Sequence, residues 1–193
     1  SAQQVEKSGR RCKPLSGRGI DGAGACLYDF SRKGTIHMTK SIIITGAGRG
    51  IGAATTEAFL DAGYRVGLIG RNRDTLEATA GGHDNALVLP CDVGEADQVQ
   101  AAFETAFAAW GRIDVLFNNA GRGSPARTID ETSVDDWLDV VRINLTGSFL
   151  CARAAFAMMR KQSPQGGRII NNGSISAHAP RPGSTPYTST KHA

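Results

Sequence analysis

The chain has 193 residues, of which 40% are hydrophobic and 21% are charged. This size and balance predict one globular domain and exclude fibrous, collagen-like and wholly disordered classes. Its longest aliphatic run covers only residues 42–44. A membrane-spanning helix needs about 20 apolar residues, so no membrane partner is predicted.

The formal net charge of +4 lies entirely in residues 1–37, where seven Lys and Arg face three Asp and Glu. The rest of the chain carries fifteen of each sign, so the charge predicts no nucleic-acid partner for the domain. Residues 1–37 are rich in Gly, Ser and Arg and lack the apolar core of a secretory signal. We expect a disordered or non-native basic leader at 1–37 and a domain at 38–193. A basic arm that binds polyanions is the alternative.

From Ser41 onward, short apolar runs alternate with helical stretches. The runs predict five strands, at residues 41–45, 65–69, 86–89, 113–117 and 167–171. Helices are predicted at residues 51–62, 74–80, 96–110 and 133 to about 161, and Ser133 caps the last of them with Asp136 three residues later. This alternation predicts an α/β fold with a doubly wound, Rossmann-like parallel sheet.

A glycine-rich loop, T-G-A-G-R-G-I-G, follows the first strand at residues 45–52. Glycine permits a tight turn and a close approach to a ligand, and the helix N-terminus behind the loop favours a pyrophosphate. The loop lacks the lysine of a P-loop, and Ile51 replaces the third glycine of G-x-G-x-x-G. The residues predicted to bind the nucleotide are Gly46, Gly48, Arg49, Gly50, Ile51 and Gly52. A glycine-rich turn without a ligand is the alternative.

The end of the second strand distinguishes the two nicotinamide cofactors. An acid at this point accepts from a ribose 2′-hydroxyl, whereas an arginine favours a 2′-phosphate. The chain has Arg71 there, and Arg49 in the loop is a second base that can bind a phosphate. NADP(H) is therefore favoured and NAD(H) remains possible. Alternatively, Arg71 and Arg73 are solvated loop residues.

Tyr187 and Lys191 are four residues apart, so on a helix they share one face. A nearby ammonium stabilises a phenolate, which makes the phenol a better acid or base near neutral pH. As an isolated pair, the two residues are also typical of a surface helix. Ser174 lies thirteen residues before Tyr187.

Together these motifs resemble the short-chain dehydrogenase/reductase family, from about residue 39 to residue 193. The matching segments are T-G-x-x-x-G-x-G, Asp92-Val93, N-N-A-G at 118–121, Asn144, Ser174 and Y-x-x-x-K at 187–191. The resemblance implies catalytic roles for Asn144, Ser174, Tyr187 and Lys191. It implies cofactor contacts at Asp92, Val93, Asn119, Ala120, Gly121, Tyr187 and Lys191, besides the loop residues and Arg71.

The implied activity is hydride transfer between a nicotinamide cofactor and a carbonyl or secondary alcohol, as in 3-oxoacyl reductase-like and sugar or alcohol dehydrogenase members. Tyr187 would protonate the carbonyl oxygen, Ser174 would hydrogen-bond it, Lys191 would hold the nicotinamide ribose and Asn144 would anchor a water. The alternative is a catalytically silent NAD(P)-binding or scaffold protein of this fold. A sugar-nucleotide epimerase is disfavoured, because that class usually carries T-G-x-x-G-x-x-G.

The chain departs from the family at its C-terminal end, two residues after Lys191. We therefore expect a fold that is incomplete at its C-terminal edge and a chain with weak or no activity. A longer parent is expected to be a cytoplasmic homodimer or homotetramer. No metal site is predicted, because the four cysteines form no C-x-x-C pair and do not cluster with histidine.

Overall fold

The computed structural model describes residues 39–193, so the prediction made for the leader at 1–37 lies outside the described residues. The described part contains one parallel sheet of five strands in the order β3-β2-β1-β4-β5. The strands are β1 (Ser41–Thr45), β2 (Arg65–Gly70), β3 (Ala86–Pro90), β4 (Val115–Asn118) and β5 (Arg168–Asn171). The order reverses between β1 and β4, which places a crevice at the carboxyl ends of these two strands.

Within residues 39–193, six α-helices connect or follow the strands. They are α1 (Gly50–Asp61), α2 (Arg73–Ala80), α3 (Ala96–Trp110), α4 (Val134–Val141), α5 (Gly147–Met159) and α6 (Thr185–His192). Residues of α1 and α2 pack in one apolar cluster with Ile42 and Ile44, and residues of α3 and α5 pack in a second cluster with Ile43. Since alternate residues of β1 face opposite sides of the sheet, helices cover both faces. The predicted doubly wound α/β fold is confirmed.

The fourth strand differs from its prediction: it begins at Val115 instead of residue 113 and ends at Asn118. Ile113 does not join the sheet, because its backbone N–H and C=O bond the side-chain amide of Gln162 at 2.9 and 3.0 Å. That amide is buried and satisfies Ile113 in place of a neighbouring strand.

The long helix predicted from residue 133 is interrupted. A π-helical turn, Arg142–Thr146, separates α4 from α5, and α5 ends at Met159 instead of about residue 161. The cap is as predicted, since the Ser133 hydroxyl accepts from the Asp136 N–H at 3.1 Å. The π turn lies where Asn144 points into a polar network rather than into the apolar core, and such turns occur often at functional sites.

None of the helices within residues 39–193 combines the length and the apolar composition that crossing a membrane requires. Within the same range, no three His, Cys, Asp or Glu side chains are grouped so that they could hold a metal ion.

Candidate active site

A cleft of about 580 Å³ opens at the carboxyl ends of the strands. Its wall contains most of the residues that the sequence predicts for the site: Gly46, Gly48, Arg49, Ile51, Arg71, Asp92, Val93, Asn119, Ala120, Gly121, Tyr187 and Lys191. Four other predicted residues, Gly50, Gly52, Asn144 and Ser174, do not line it. The fold therefore brings residues from four loops and from α6 to one edge of the sheet.

The glycine loop follows β1 and packs tightly on the segment after β4. Gly46 has a φ of 67°, and a Cβ built on it would lie 3.0 Å from the Cα of Ala120. A Cβ on Gly52 would overlap the carbonyl oxygen of Gly46. Gly46 and Gly52 thus shape the loop, and Gly52 is buried behind the residues that line the cleft.

Thr45 holds the glycine loop and the segment after β4 together. Its hydroxyl oxygen accepts from the backbone N–H groups of Asn119 and Ala120, each at 2.9 Å. The side-chain amide of Asn119 donates back to the carbonyl oxygen of Thr45 at 3.0 Å. Asn119 therefore lies in the wall of the cleft and connects the ends of β1 and β4.

The N-terminus of α1 is open toward a ligand. Arg49 occupies the N-cap position in extended backbone geometry, and no side chain caps the first turn. The free N–H groups and the helix dipole favour an anion at this point. Neither Arg49 nor Arg71 is paired with a carboxylate of residues 39–193, whereas Arg73 pairs with Glu77 at 3.2 Å. Of the two arginines after β2, only Arg71 lines the cleft.

The opposite end of the cleft is formed by α6. Tyr187 and Lys191 share one face of this helix, and the Lys191 Nζ lies 5.8 Å from the centre of the Tyr187 ring. The same Nζ donates to the backbone carbonyl of Asn172 at 2.8 Å. The Asn172 side chain in turn donates to the Asn119 Oδ1 at 3.0 Å. Lys191 is thereby connected to the glycine loop through two asparagines.

Ser174 begins a 3-10 turn, Ile175–Ala177, that follows β5. Its Oγ accepts from the Ser176 N–H at 3.1 Å. That bond uses an acceptor lone pair and leaves the hydroxyl hydrogen available for another group.

Asn144 is buried in the π turn, and both hydrogens of its side-chain amide are engaged. Its Oδ1 accepts from the Arg122 N–H at 2.8 Å, and its Nδ2 donates to the Arg122 carbonyl and to the Thr190 hydroxyl at 2.9 and 3.2 Å. These bonds hold the segment after β4 against α6. The backbone carbonyl of Asn144 accepts from the Ser148 hydroxyl at 2.8 Å.

Thr45, Asn172 and Arg122 are absent from the sequence prediction of the site. Asn172 and Arg122 line the cleft, and Thr45 lies directly behind it. Asn172 had a usable signal, because it directly follows a predicted strand at the edge where ligands bind. Thr45 had only its place as the first residue of the T-G-x-x-x-G-x-G motif. Arg122 had no signal, since its partners Asp139 and Asn144 are 17 and 22 residues away in sequence.

Two cysteines lie at or near the cleft. Burial, and secondarily the carboxylate of Asp92, raises the pKa of the Cys91 thiol to about 11. Burial, with a smaller contribution from Cys91, raises the pKa of Cys151 to about 12. Both thiols therefore stay protonated near neutral pH and are poor nucleophiles.

Comparisons with known proteins agree with this geometry. Residues 40–193 match the family model described as short chain dehydrogenase. An uncharacterised oxidoreductase of Staphylococcus saprophyticus is 38% identical over 156 residues, which are 80% of this chain and 62% of that protein.

Two solved structures share the fold. A 3-ketoacyl-(acyl-carrier-protein) reductase from Brucella melitensis, complexed with NADH, is 31% identical with a TM-score of 0.76 over 79% of this chain and 64% of that one. The structure of ElxO with NADP bound is 31% identical with a TM-score of 0.75 over 81% and 64%. The chain thus spans less than two thirds of the length of these relatives. The family model, the sheet order and the arrangement of the cleft agree, and the chain belongs to the short-chain dehydrogenase family.

Proposed function

We propose that the domain of residues 38–193 binds a nicotinamide cofactor and transfers a hydride between it and a carbonyl or secondary alcohol. The observation that carries this proposal is the position of Tyr187 and Lys191, side by side at the end of the cleft opposite Arg49 and Arg71. Similarity to the 3-ketoacyl-(acyl-carrier-protein) reductase of Brucella melitensis supports a carbonyl substrate.

The residues present fit an extended dinucleotide. The uncapped N-terminus of α1 and the glycine loop offer a cradle for a pyrophosphate in the middle of the cleft. Asp92 and Val93 lie on the side toward β3 and suit the adenine end, while Asn119 to Gly121 and Lys191 suit the nicotinamide end.

The reacting end requires an acid for the carbonyl oxygen. When it is bound, the nicotinamide supplies the hydride. The Tyr187 hydroxyl donates a proton to the substrate oxygen, and the Lys191 ammonium stabilises the phenolate that remains. Ser174 donates its free hydroxyl hydrogen to the same oxygen, because its acceptor side is held by Ser176.

The water contact implied for Asn144 would use an oxygen of this residue as its acceptor. The side-chain amide has no donor left, since both of its hydrogens bond Arg122 and Thr190. The side chain also fixes α6 through Thr190, the residue next to Lys191. We therefore propose two roles for Asn144, a water contact and the support of the lysine.

The preferred cofactor is NADP(H), because Arg71 is the unpaired cation at the end of β2 and no acid stands there. Relatives with NADH and with NADP bound are both known, so the preference rests on this arginine. Arg71→Gln should raise the Kd for NADPH by about tenfold and change the Kd for NADH by less than about twofold.

Arg73→Gln is the matched control for that titration, because Arg73 is paired with Glu77 away from the cleft. It should leave both dissociation constants near those of the starting protein. Tighter binding of NADH than of NADPH by the unaltered chain would contradict the preference.

Tyr187→Phe tests the catalytic assignment. At high protein concentration, NADPH oxidation with a panel of aldehydes and ketones should fall by at least about 100-fold, because the proton donor is lost. The Kd for NADPH, measured by fluorescence, should change by less than about twofold. Tyr64→Phe is the control, since Tyr64 packs edge-on against Phe59 outside the cleft and should retain full turnover. Retained turnover in Tyr187→Phe would refute the assignment.

We also propose that the whole protein is a homodimer or homotetramer that works in the cytoplasm. Large apolar side chains stand exposed on α4 and α5, with Leu138 and Phe149 exposed at 56% and 62%. Such a patch is typical of an interface between subunits. Light scattering of the whole protein should give a mass of at least two chains, and a monomer at micromolar concentration would contradict this part.

A further inference from the structure

Arg142, the first residue of the π turn, joins three acids from three segments. Its guanidinium lies 3.2 Å from Asp92, which follows β3, and 3.1 Å from Glu95, which precedes α3. It lies 3.1 Å from Asp139 on α4. No other side chain within residues 39–193 forms ion pairs with three carboxylates.

The guanidinium occupies space that a glycine provides. A Cβ built on Gly94 would overlap the Arg142 guanidinium, so a larger residue at 94 is incompatible with this position. The Arg142 side chain is 34% exposed and that of Asp92 only 19% exposed. The pair is therefore partly screened by water but confined by the neighbouring backbone.

Both oxygens of the Asp92 carboxylate are fixed. Oδ1 accepts from the Gly94 N–H at 2.9 Å, and Oδ2 accepts from Arg142 at 3.2 Å. The Asp92 N–H is itself held by the Gln98 side chain at 2.9 Å. A carboxylate oxygen has two lone pairs, so each one keeps an acceptor site free, and those sites point in fixed directions.

Asp92 lines the cleft, whereas Arg142 does not. Any effect of Arg142 on a ligand in the cleft must therefore pass through Asp92 or through the backbone. Without the guanidinium, Oδ2 would have no partner here, and the carboxylate would be free to turn about its side-chain bond.

We propose that Arg142 is a positioning residue that orients the Asp92 carboxylate to accept a hydrogen bond from the amino group of the cofactor's adenine. This inference rests on the proposed binding of a nicotinamide dinucleotide in the cleft. It assigns to the π turn a second role, since the same turn that holds Asn144 at the catalytic end also sets the carboxylate at the adenine end.

A purely structural alternative exists, in which Arg142 only ties α4 to the loop after β3. Loss of such a contact would weaken the binding of every ligand in the cleft to a similar degree. Orientation of Asp92 predicts a loss confined to ligands that carry the adenine amino group. The two explanations therefore predict different ratios between the dissociation constants of two ligands, one with and one without the adenine amino group. A general loosening of the fold does not change this ratio.

The experiment compares NADPH with its deamino analogue, in which hypoxanthine replaces adenine and the amino donor is absent. The unaltered 193-residue chain should bind NADPH about fivefold more tightly than the analogue, the effect of one hydrogen bond to a charged acceptor in a partly exposed site. In Arg142→Gln this ratio should fall to below about twofold. Arg142→Lys keeps the charge without the planar guanidinium and should give an intermediate ratio.

Three further variants complete the design. Asp92→Asn should lower the ratio as far as Arg142→Gln does, and the double variant should lower it no further. Glu95→Gln removes another partner of Arg142, one that is 56% exposed and lies outside the cleft wall, and should keep the fivefold ratio. Circular dichroism and melting temperature verify that each variant is folded. If Arg142→Gln is unfolded, Arg142→Lys replaces it in the comparison.

A ratio that stays at the starting value in Arg142→Gln or, if that variant is unfolded, in Arg142→Lys would overturn the inference. Equal binding of NADPH and its analogue by the unaltered chain would also overturn it, while the proposed function would stand. Failure of the unaltered chain to bind either compound would overturn the proposed function itself, and the inference with it.

Discussion

Strands β1 and β5 both lead into the candidate site, but they differ in how they are held. All five residues of β1 are buried, and the strand pairs with β2 on one side and with β4 on the other. β5 pairs with β4 alone among the described strands, and three of its four residues are exposed. The segment proposed to hold the cofactor thus follows the best-packed strand, while Ser174 follows the least-packed one.

The loops after the two strands show the same contrast. The glycine loop is locked to the segment after β4 by the hydroxyl of Thr45 and the amide of Asn119. Beyond β5, the contacts are fewer and go through Asn172 to Lys191 and to Asn119. Because regions with fewer buried contacts open with a smaller free energy, we expect the glycine loop to be more rigid than the segment carrying Ser174.

The largest expected effect comes from truncating a matched pair of isoleucines. Ile43 on β1 is completely buried and Ile170 on β5 is 45% exposed. Ile43→Ala should lower the free energy of unfolding by about 3 kcal/mol, through lost burial and a cavity, and Ile170→Ala by about 1 kcal/mol. Urea unfolding measures both values. Equal losses would show that β5 is as well packed as β1 and would break the comparison.

A smaller effect is expected from the lock on the glycine loop. Thr45→Val keeps the shape of the side chain but leaves the N–H groups of Asn119 and Ala120 without their acceptor. The free energy of unfolding should fall by about 2 kcal/mol. Thr105→Val is the control, because the exposed hydroxyl of Thr105 bonds only the Ala101 carbonyl of its own helix, and it should cost less than about 0.5 kcal/mol. If Thr45→Val were as stable as Thr105→Val, the Thr45 hydroxyl would not be what holds the glycine loop in place.

The smallest effect concerns the start of β1, where Asp114 accepts from the Ser41 N–H at 2.8 Å and pairs with Arg112 at 2.7 Å. Burial by itself would raise the pKa of Asp114, but the hydrogen bonds from Arg112 and Ser41 outweigh it and hold the pKa below its usual value. With the folded pKa depressed, this carboxylate stabilises the fold above its unfolded pKa of about 3.9. That contribution is lost as the pH falls through the folded pKa.

Asp114→Asn should therefore lower the free energy of unfolding by about 1 kcal/mol at pH 7, and the difference from the starting protein should shrink as the pH falls below about 4. Asp84→Asn, at an exposed loop position, should stay within about 0.5 kcal/mol at pH 7. Urea unfolding at several pH values measures both. A constant difference for Asp114→Asn across this range would contradict the role of its charge.

Much of the contrast between β1 and β5 is invisible in the sequence. Both segments have consecutive isoleucines, at 42–44 and 169–170, and both were predicted as strands. Burial depends on the position of a strand within the sheet, and the order β3-β2-β1-β4-β5 puts β1 at the centre and β5 at an edge. Hydrophobic pattern indicates that a strand has a face to bury, but it does not indicate how many neighbours will cover that strand.

The site shows a similar division. Local motifs predicted the glycine loop and the pair Tyr187 and Lys191, since the spacing of those residues along one turn or one helix already determines their geometry. The Arg142 contacts join residues up to 50 positions apart, and the π turn that carries Arg142 interrupts a helix that the periodicity predicts as continuous. Neither follows from neighbouring residues.

By itself, the sequence determined the family, the α/β class and the residues with the chemistry for hydride transfer, because these depend on short patterns and on side-chain type. Only the tertiary structure decided that the Asn144 side chain bonds Arg122 and Thr190 and that Asp92 is held by Arg142. These contacts depend on how distant segments meet when the sheet assembles, and packing of the whole chain, not local preference, sets those distances.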